Sequence, residues 1–398
     1  MPPEFSLLGQ LEDQLASLSD QQLRRQLREV QTPTAPALIV DGQPLTAFCS
    51  NDYLGLAADP RVIEALREGA VRYGAGSGAS HLISGHSAAH TALEARLAEM
   101  QAPHLIEPRA LFFSTGYMAN LAVLTALGGK DAEIFSEALN HASLIDGARL
   151  SRARVTIYTR DDLSALDRLL AASAASTKLV VTDSVFSMEG AIAPLPDLLA
   201  LCERHQAWLV VDDAHGFGVL GAQGAGVLQH FALRSPQLVY VGTLGKAAGV
   251  AGAFVAANAT VIEWLVQRAR TYIYTTATPP AIAHALLTSL EIMSGSEGAE
   301  RRRTLRAHME QWRRSLHLKH WHLLPSETPI QAIVIGANKP ALQAGDSLRE
   351  QGLWVAAIRP PTVAKDTARL RITLSAAHES AQITQLANAI CEMEKPCV

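Results

Sequence analysis

Two strand ends in this chain carry side chains whose types suit one another. Lys246 lies in Leu238-Val-Tyr-Val-Gly-Thr-Leu-Gly-Lys-Ala-Ala-Gly-Val-Ala-Gly, an apolar strand running into a small, Gly-rich loop. Upstream, Trp208-Leu-Val-Val-Asp-Asp-Ala-His-Gly is a second apolar strand, ending in an acid, Asp212, and an imidazole, His215. A lone lysine at a strand end means little. A lysine paired with an Asp-x-x-His strand end is the set that pyridoxal 5'-phosphate chemistry uses. The amine forms the Schiff base, and the acid keeps the pyridine nitrogen protonated so that the ring can accept electrons.

Other residues extend the set, each with a plain structural alternative. In Phe113-Ser-Thr-Gly-Tyr-Met-Ala-Asn a strand gives way to a helix start, whose free amides and dipole favour an anion. Gly116 and Tyr117 would supply amides to the cofactor phosphate, or this is an ordinary capped helix. Asp212 follows four apolar residues, so its charge needs a partner; the ring nitrogen serves, and so would a structural salt bridge. His215 could bond the phenolic oxygen of the cofactor or be a satisfied core histidine. His141, in Asn140-His-Ala-Ser, could stack on the ring. Ser187 could reach the ring, and Thr243 could hold the phosphate. Arg371 sits in the alternating strand Arg369-Leu-Arg-Ile-Thr-Leu and could clamp an amino-acid carboxylate at two points. Period-two alternation puts Arg369 on the same face.

These residues need rigid elements behind them. From about residue 110, apolar strands at Ala110–Phe113, Glu133–Phe135, Val155–Tyr158, Lys178–Thr182, Trp208–Val211, Leu238–Val241 and Gly252–Ala256 alternate with helical stretches such as Tyr117–Leu127, Leu163–Ala172 and Pro196–His205. That pattern predicts an α/β fold with a mostly parallel sheet covered on both faces. Ligands bind beyond the carboxyl ends of such strands, where these candidates lie. After about residue 290, a charged helix near 297–316, strands at Ile330–Ile335, Trp354–Ile358 and Arg369–Leu374, and a helix over Ser380–Met393 predict a smaller α+β domain. The expected division is 1–50 (helix and short strands), 51–290 (large domain) and 291–398 (small domain). Leucines at 8, 11, 15, 18, 23 and 27 predict one or two amphipathic helices ended by Thr32-Pro. Asp59-Pro60 predicts another helix start.

Bulk properties exclude several classes. With 48% hydrophobic and 18% charged residues over 398 positions and a formal net charge of −4, no nucleic-acid-binding excess of basic residues exists. The run Arg301-Arg-Arg reads as a solvated helix face. Four cysteines (Cys49, Cys202, Cys391, Cys397) without a Cys-x-x-Cys pair suit a reduced, cytoplasmic protein. Met-Pro-Pro-Glu-Phe-Ser has no basic region before an apolar core, so no secretory leader is expected. No apolar run is long enough to span a bilayer. His317-Leu-Lys-His-Trp-His matches no common zinc spacing and reads as a surface cluster; no metal site is expected. Gly74-Ala-Gly-Ser-Gly follows no apolar strand and precedes no clear helix, which rules against a dinucleotide loop.

Taken together, the chain resembles the α-oxoamine synthase family of fold-type I (aspartate aminotransferase-like) pyridoxal phosphate enzymes. The resemblance runs through Phe48-Cys-Ser-Asn-Asp-Tyr-Leu-Gly-Leu, Gly74–Gly85, Val185-Phe-Ser-Met-Glu-Gly, Val211-Asp-Asp-Ala-His-Gly, Thr243-Leu-Gly-Lys and Arg369-Leu-Arg-Ile-Thr-Leu-Ser-Ala-Ala-His. It implies that Lys246 holds the cofactor, Asp212 pairs with the ring nitrogen, His215 bonds the phenolic oxygen and His141 stacks on the ring. Ser187 would contact the ring, Thr243 the phosphate, and Arg371 the substrate carboxylate. By the same resemblance Arg24 and Thr362 contact the acyl substrate, and Asn51 lies near it. A homodimer with interface sites is implied, with Tyr274-Thr-Thr-Ala-Thr-Pro-Pro similar to the segment that reaches the neighbour's phosphate. Ala357-Ile-Arg-Pro-Pro-Thr-Val is most similar to the branch that joins L-alanine to a pimeloyl thioester, carried on coenzyme A or a carrier protein, in biotin synthesis. Siblings that use glycine or serine are the alternative; glycine users commonly carry Thr where Ser80 stands. A non-catalytic partner subunit would be expected to lack Lys246. The chain departs from the family pattern at Ala364-Lys-Asp366, at Ala247-Ala248, and at His81, where glycine is common.

Overall fold

The computed structural model describes residues 7–394; Met1–Ser6 and Cys397 lie outside them. A helix over Leu7–Asp20 is followed by two short antiparallel strands, β1 (Ala37–Val40) and β2 (Gln43–Ala47). The helix is shorter than the leucine spacing predicted. Gln22 takes a left-handed turn at φ 59°, and Leu18 O accepts from both Leu23 N and Arg24 N, so Leu23 and Leu27 fall beyond it. Asp59 caps the helix Pro60–Tyr73 as expected, its carboxylate accepting from Arg61 N at 3.0 Å.

The main sheet has seven strands: β3 (Pro108–Phe113), β4 (Ala132–Glu137), β5 (Arg154–Tyr158), β6 (Thr177–Asp183), β7 (Trp208–Asp212), β8 (Leu238–Thr243) and β9 (Ala253–Asn258), in the order β3-β9-β8-β7-β6-β4-β5. Each strand foreseen in the sequence is present within a few residues. Only β9 runs against its neighbours, β3 and β8. Successive side chains point to opposite faces, and both faces are packed. Val211 and Tyr240 face one apolar cluster, while Val210 and Val239 face the other. Both faces being buried is why these strands read as continuous apolar runs. The helices Gly116–Leu127, Ala142–Leu150 and Ala259–Arg268 cover one face. Ala88–Gln101, Leu163–Ala172, Leu195–Arg204 and Pro280–Ser294 cover the other.

The C-terminal part holds β10 (His322–Leu323), β11 (Ile330–Gly336), β12 (Leu353–Trp354), β13 (Ala356–Ile358) and β14 (Ala368–Thr373). β10, β11, β14 and β13 form an antiparallel sheet, whereas β12 pairs with β2. The first short strands therefore pack with the last part of the chain. Helices Ser296–Ser315, Asn338–Glu350 and Ser380–Met393 accompany these sheets.

The run 301–303 is not a solvated face. Arg302 is buried and donates to Met293 O (2.8 Å) and Ala222 O (2.9 Å), carbonyls left free where a helix and a loop end. Arg301 bonds Asp59, Glu297 and Leu54 O. Only Arg303 stays on the surface. His317, His320 and His322 are exposed, as the sequence predicted.

Candidate active site

Parallel strands end together, and their ends build the site. β6 and β7 are in register at Asp183 and Asp212, and β8 continues through Thr243 to the Lys246 loop. That loop is closed by backbone bonds from Leu244 N to Gly252 O (2.8 Å) and from Val250 N to Leu244 O (3.1 Å). A cavity of about 200 Å³ opens at these ends. Gly116, Tyr117, His141, Ser187, Asp212, His215, Thr243 and Lys246 all line it, so every cofactor contact expected from the sequence is gathered in one place. Gly116 begins a helix whose cap, Thr115, accepts from Met118 N at 3.2 Å. Tyr117 OH donates to Asp146.

The Lys246 amine is held down to about 8, chiefly by burial, against the opposing pull of Asp212 and Asp183. Its Nζ lies 2.8 Å from His215 Nε2. Burial, then the Lys246 charge, pushes His215 well below the usual imidazole range, so it is neutral. His215 Nδ1 lies 2.6 Å from Tyr53 OH, which donates to Asn51 Oδ1 at 3.2 Å. Asn51 Oδ1 also accepts from Arg371 at 3.3 and 3.4 Å. A polar chain thus links Lys246 to Arg371 through His215, Tyr53 and Asn51. Arg371 Nε donates to Ser187 O at 2.6 Å, fixing the guanidinium plane. Arg369, on the same strand, is instead committed to Glu189 at 2.9 Å.

Asp212 accepts from Ala214 N (2.9 Å) and Asn120 Nδ2 (2.6 Å). Both donors are neutral, so this buried carboxylate suits a cation at its free edge. Asn120 also donates to Ser143 Oγ at 2.8 Å, and Ser143 Oγ lies 2.7 Å from His141 Nδ1. The Asn120 side-chain oxygen, Oδ1, is buried without a hydrogen-bond partner. Asp183 accepts from His141 N at 2.7 Å; burial, then Asp212, raises its carboxyl well above the carboxylate range. Behind the site, Asp213 is fixed by Ser184, Tyr240 OH (2.7 Å) and Val227 N (2.7 Å). A buried amine, an acid with neutral partners and a capped helix start within one small cavity fit pyridoxal 5'-phosphate.

Sequence reasoning gave no role to Asn120, Ser143, Asp183 or Tyr53. Asn120 carried a signal, standing one helical turn after Gly116 in a largely apolar helix. Asp183 ends its strand as Asp212 does. Arg24 and Thr362 are not in the Lys246 cavity. Arg24 lines a separate cleft of about 920 Å³ with Arg25, Arg28, Arg349 and Arg359. Thr362 is exposed, on a turn closed by its N–H to Arg359 O at 3.1 Å.

A family model described as aminotransferase class I and II matches residues 43–390. An 8-amino-7-oxononanoate synthase from Janthinobacterium sp. (strain Marseille) is 66% identical over 98% of this chain and 99% of its own length. The chain belongs to the 8-amino-7-oxononanoate synthase family. A second member, from Bordetella petrii, is 64% identical over 98% of each chain. The solved 8-amino-7-oxononanoate synthase of Francisella tularensis matches with TM-score 0.73 at 32% identity, covering 88% of this chain and 97% of that one. A high-resolution structure of SPT with PLP matches with TM-score 0.89 at 28% identity over 98% of both chains. As a family member, this chain is a pyridoxal 5'-phosphate-dependent acyltransferase, and its mixed, mostly parallel seven-stranded sheet is that of fold-type I. No described helix is long and apolar enough to cross a membrane.

Proposed function

We propose that the chain condenses L-alanine with a pimeloyl thioester, on coenzyme A or a carrier protein, to give 8-amino-7-oxononanoate, CO2 and the free thiol, in biotin synthesis. The observation that carries this reading is the Lys246–His215–Tyr53–Asn51–Arg371 chain, which joins a buried amine to a carboxylate-binding guanidinium. When bound, the pyridoxal ring supplies the electron sink that stabilises negative charge on the α-carbon of an amino acid.

Lys246 would anchor the cofactor, and Asp212 would keep its ring nitrogen protonated. Asn120 and Ala214 N hold the Asp212 carboxylate in place. His141, held by Ser143 and Asp183, would stack on the ring. His215 would bond its phenolic oxygen, Ser187 would contact the ring, and Gly116, Tyr117 and Thr243 would hold the phosphate. Arg371 orients the alanine carboxylate with the help of Asn51, whose bonds to it are long enough to yield. Lys246, once displaced, would take the α-proton at Nζ, since burial leaves more of this amine unprotonated than an ordinary lysine. A carbon–carbon bond then forms between the alanine α-carbon and the thioester carbonyl carbon, and the C–S bond breaks, the leaving thiolate taking a proton from solvent. The former alanine carboxylate leaves as CO2, and Lys246 returns a proton to the α-carbon. By the family resemblance Arg24 and Thr362 would contact the acyl chain, although neither lines the Lys246 cavity. A cytoplasmic homodimer suits the chain: Leu7, Leu8, Leu11 and Leu15 of the first helix are uncovered, and so are Leu82, Ile83 and Tyr274.

The test is product analysis by mass spectrometry with alanine and pimeloyl-CoA. Amino ketone and free thiol should appear in equal amounts. Thiol release with glycine or serine and another acyl-CoA, and none with the alanine–pimeloyl pair, would overturn the substrate assignment and leave the family intact.

A further inference from the structure

Three imidazoles meet outside the Lys246 cavity. His81 opens the π-helical turn His81–Gly85, His86 follows it directly, and His90 sits in the first turn of the helix Ala88–Gln101. One ring nitrogen from each lies within 4.8 Å of the other two. His81 Nδ1 and His86 Nδ1 are 2.9 Å apart. Two ring nitrogens at hydrogen-bond distance require one of them to be bare, so a lone pair already faces inward.

The outer nitrogens fix which one. His90 Nε2 lies 2.8 Å from the Thr278 carbonyl oxygen, which can only accept. His90 therefore carries its proton on Nε2 and presents a bare Nδ1. His86 Nε2 lies 3.0 Å from Thr91 Oγ1, with Glu94 Oε2 at 3.9 Å, and Thr91 Oγ1 donates onward to Ser87 O. His86 thus donates from Nε2 and keeps Nδ1 bare, so His81 donates from Nδ1 and must move or release that proton to bind an ion. Carbonyl, hydroxyl and carboxylate partners on the far nitrogen are the supports that orient metal-binding histidines. The His81 ring is stacked on Tyr272, centroids 4.7 Å apart and planes 9° apart, which sets its plane. His81 and His90 are buried while His86 is exposed, so an ion could enter from the His86 side.

We propose that His81, His86 and His90 bind a divalent transition-metal ion of the zinc class through three imidazole nitrogens, with a fourth position open to solvent. Neutral imidazoles select zinc, copper or nickel over magnesium or calcium. Zn–N bonds of about 2.0–2.1 Å put tetrahedral ligands about 3.3 Å apart. The His81–His86 pair must open slightly, and the widest pair must close by about 1.5 Å from its 4.8 Å limit. Binding exchanges the His81–His86 contact, and the contacts of Ser87 N and Oγ to His90 Nδ1 (3.0 and 3.2 Å), for three metal bonds. The ion would clamp the π-helical turn to the long helix and, through Thr278, to the segment that bonds Ser114 Oγ at 2.8 Å beside the Gly116 helix start.

The holoenzyme, stripped with a chelator and dialysed, is titrated with Zn²⁺ by calorimetry and with Co²⁺ by visible absorption. One ion per chain should bind, with the visible bands of a nitrogen-ligated Co²⁺ site. His86→Ala removes an exposed ligand and spares the fold; it should weaken binding at least tenfold. His81→Gln should do the same. Replacing His317, His320 and His322 together by alanine should leave this ion in place. Absence of stoichiometric uptake, uptake unchanged in His86→Ala, or uptake lost in the triple variant would each overturn the site.

Discussion

Lys246 shows how much of the chemistry depends on where one amine is buried. Its lowering to about 8 comes first from burial, with Asp212 and Asp183 pulling the other way. Only the neutral amine captures an aldehyde. Capture of added pyridoxal 5'-phosphate by the apo chain should therefore rise with pH through about 8, well below an ordinary lysine. The rate of borohydride-reducible adduct formation across pH 6–10 checks this; a midpoint near 10 would contradict the burial argument. Arg371 makes a separate prediction. Arg371→Gln removes the two-point carboxylate contact, so KM for alanine should rise about tenfold or more while the thioester KM moves little. Steady-state kinetics varying each substrate in turn will separate the two. Sequence adjacency hid one role here. Asp212 and Asp213 are neighbours, yet strand alternation sends the first into the site and the second into the packing behind it.

At the scale of elements, the main strands and most helices were legible because a doubly covered parallel sheet demands long apolar runs punctuated by polar ends. What stayed hidden was set by meetings between distant segments. Arg302 is buried because a helix end and a loop leave carbonyls aimed at it, and nothing in Arg301-Arg-Arg announces that. Tyr53 enters the site because the segment after β2 crosses to His215. The first helix stops at Asp20 because Leu18 O closes a turn that leucine spacing does not encode. The loop carrying Asp213's partners makes its own prediction. A Cβ on Gly226 would stand 2.1 Å from Asp213 Oδ2 and 2.3 Å from Tyr240 OH, on backbone at φ +97°. Gly226→Ala should destabilise the protein by about 2 kcal/mol or more, read as a lowered urea midpoint. An unchanged midpoint would mean the loop can shift at little cost.

Across the whole molecule, residues distant in sequence are held as one body by a few crossing points. Phe48 is fully buried and stacked on His378 at 4.4 Å, its N–H bonds Trp354 O, and its carbonyl accepts from Thr373 N, both at 2.8 Å. It fastens the early strands to the C-terminal sheets beside Arg371. Phe48→Ala should cost about 3–5 kcal/mol and lower the melting of both parts together, as one calorimetric transition. Two separated transitions would show that the parts unfold independently. The sheet also dictates an order of assembly during synthesis. β3 is an edge strand whose one neighbour is β9, with Pro108 paired to Asn258. Chains leave the ribosome N-terminus first, so β3 emerges long before the strand it needs, and the helix start at Gly116 waits with it. Translation stalled anywhere before residue 258 would leave that edge unpaired and hydrophobic, a natural target for chaperones on the nascent chain.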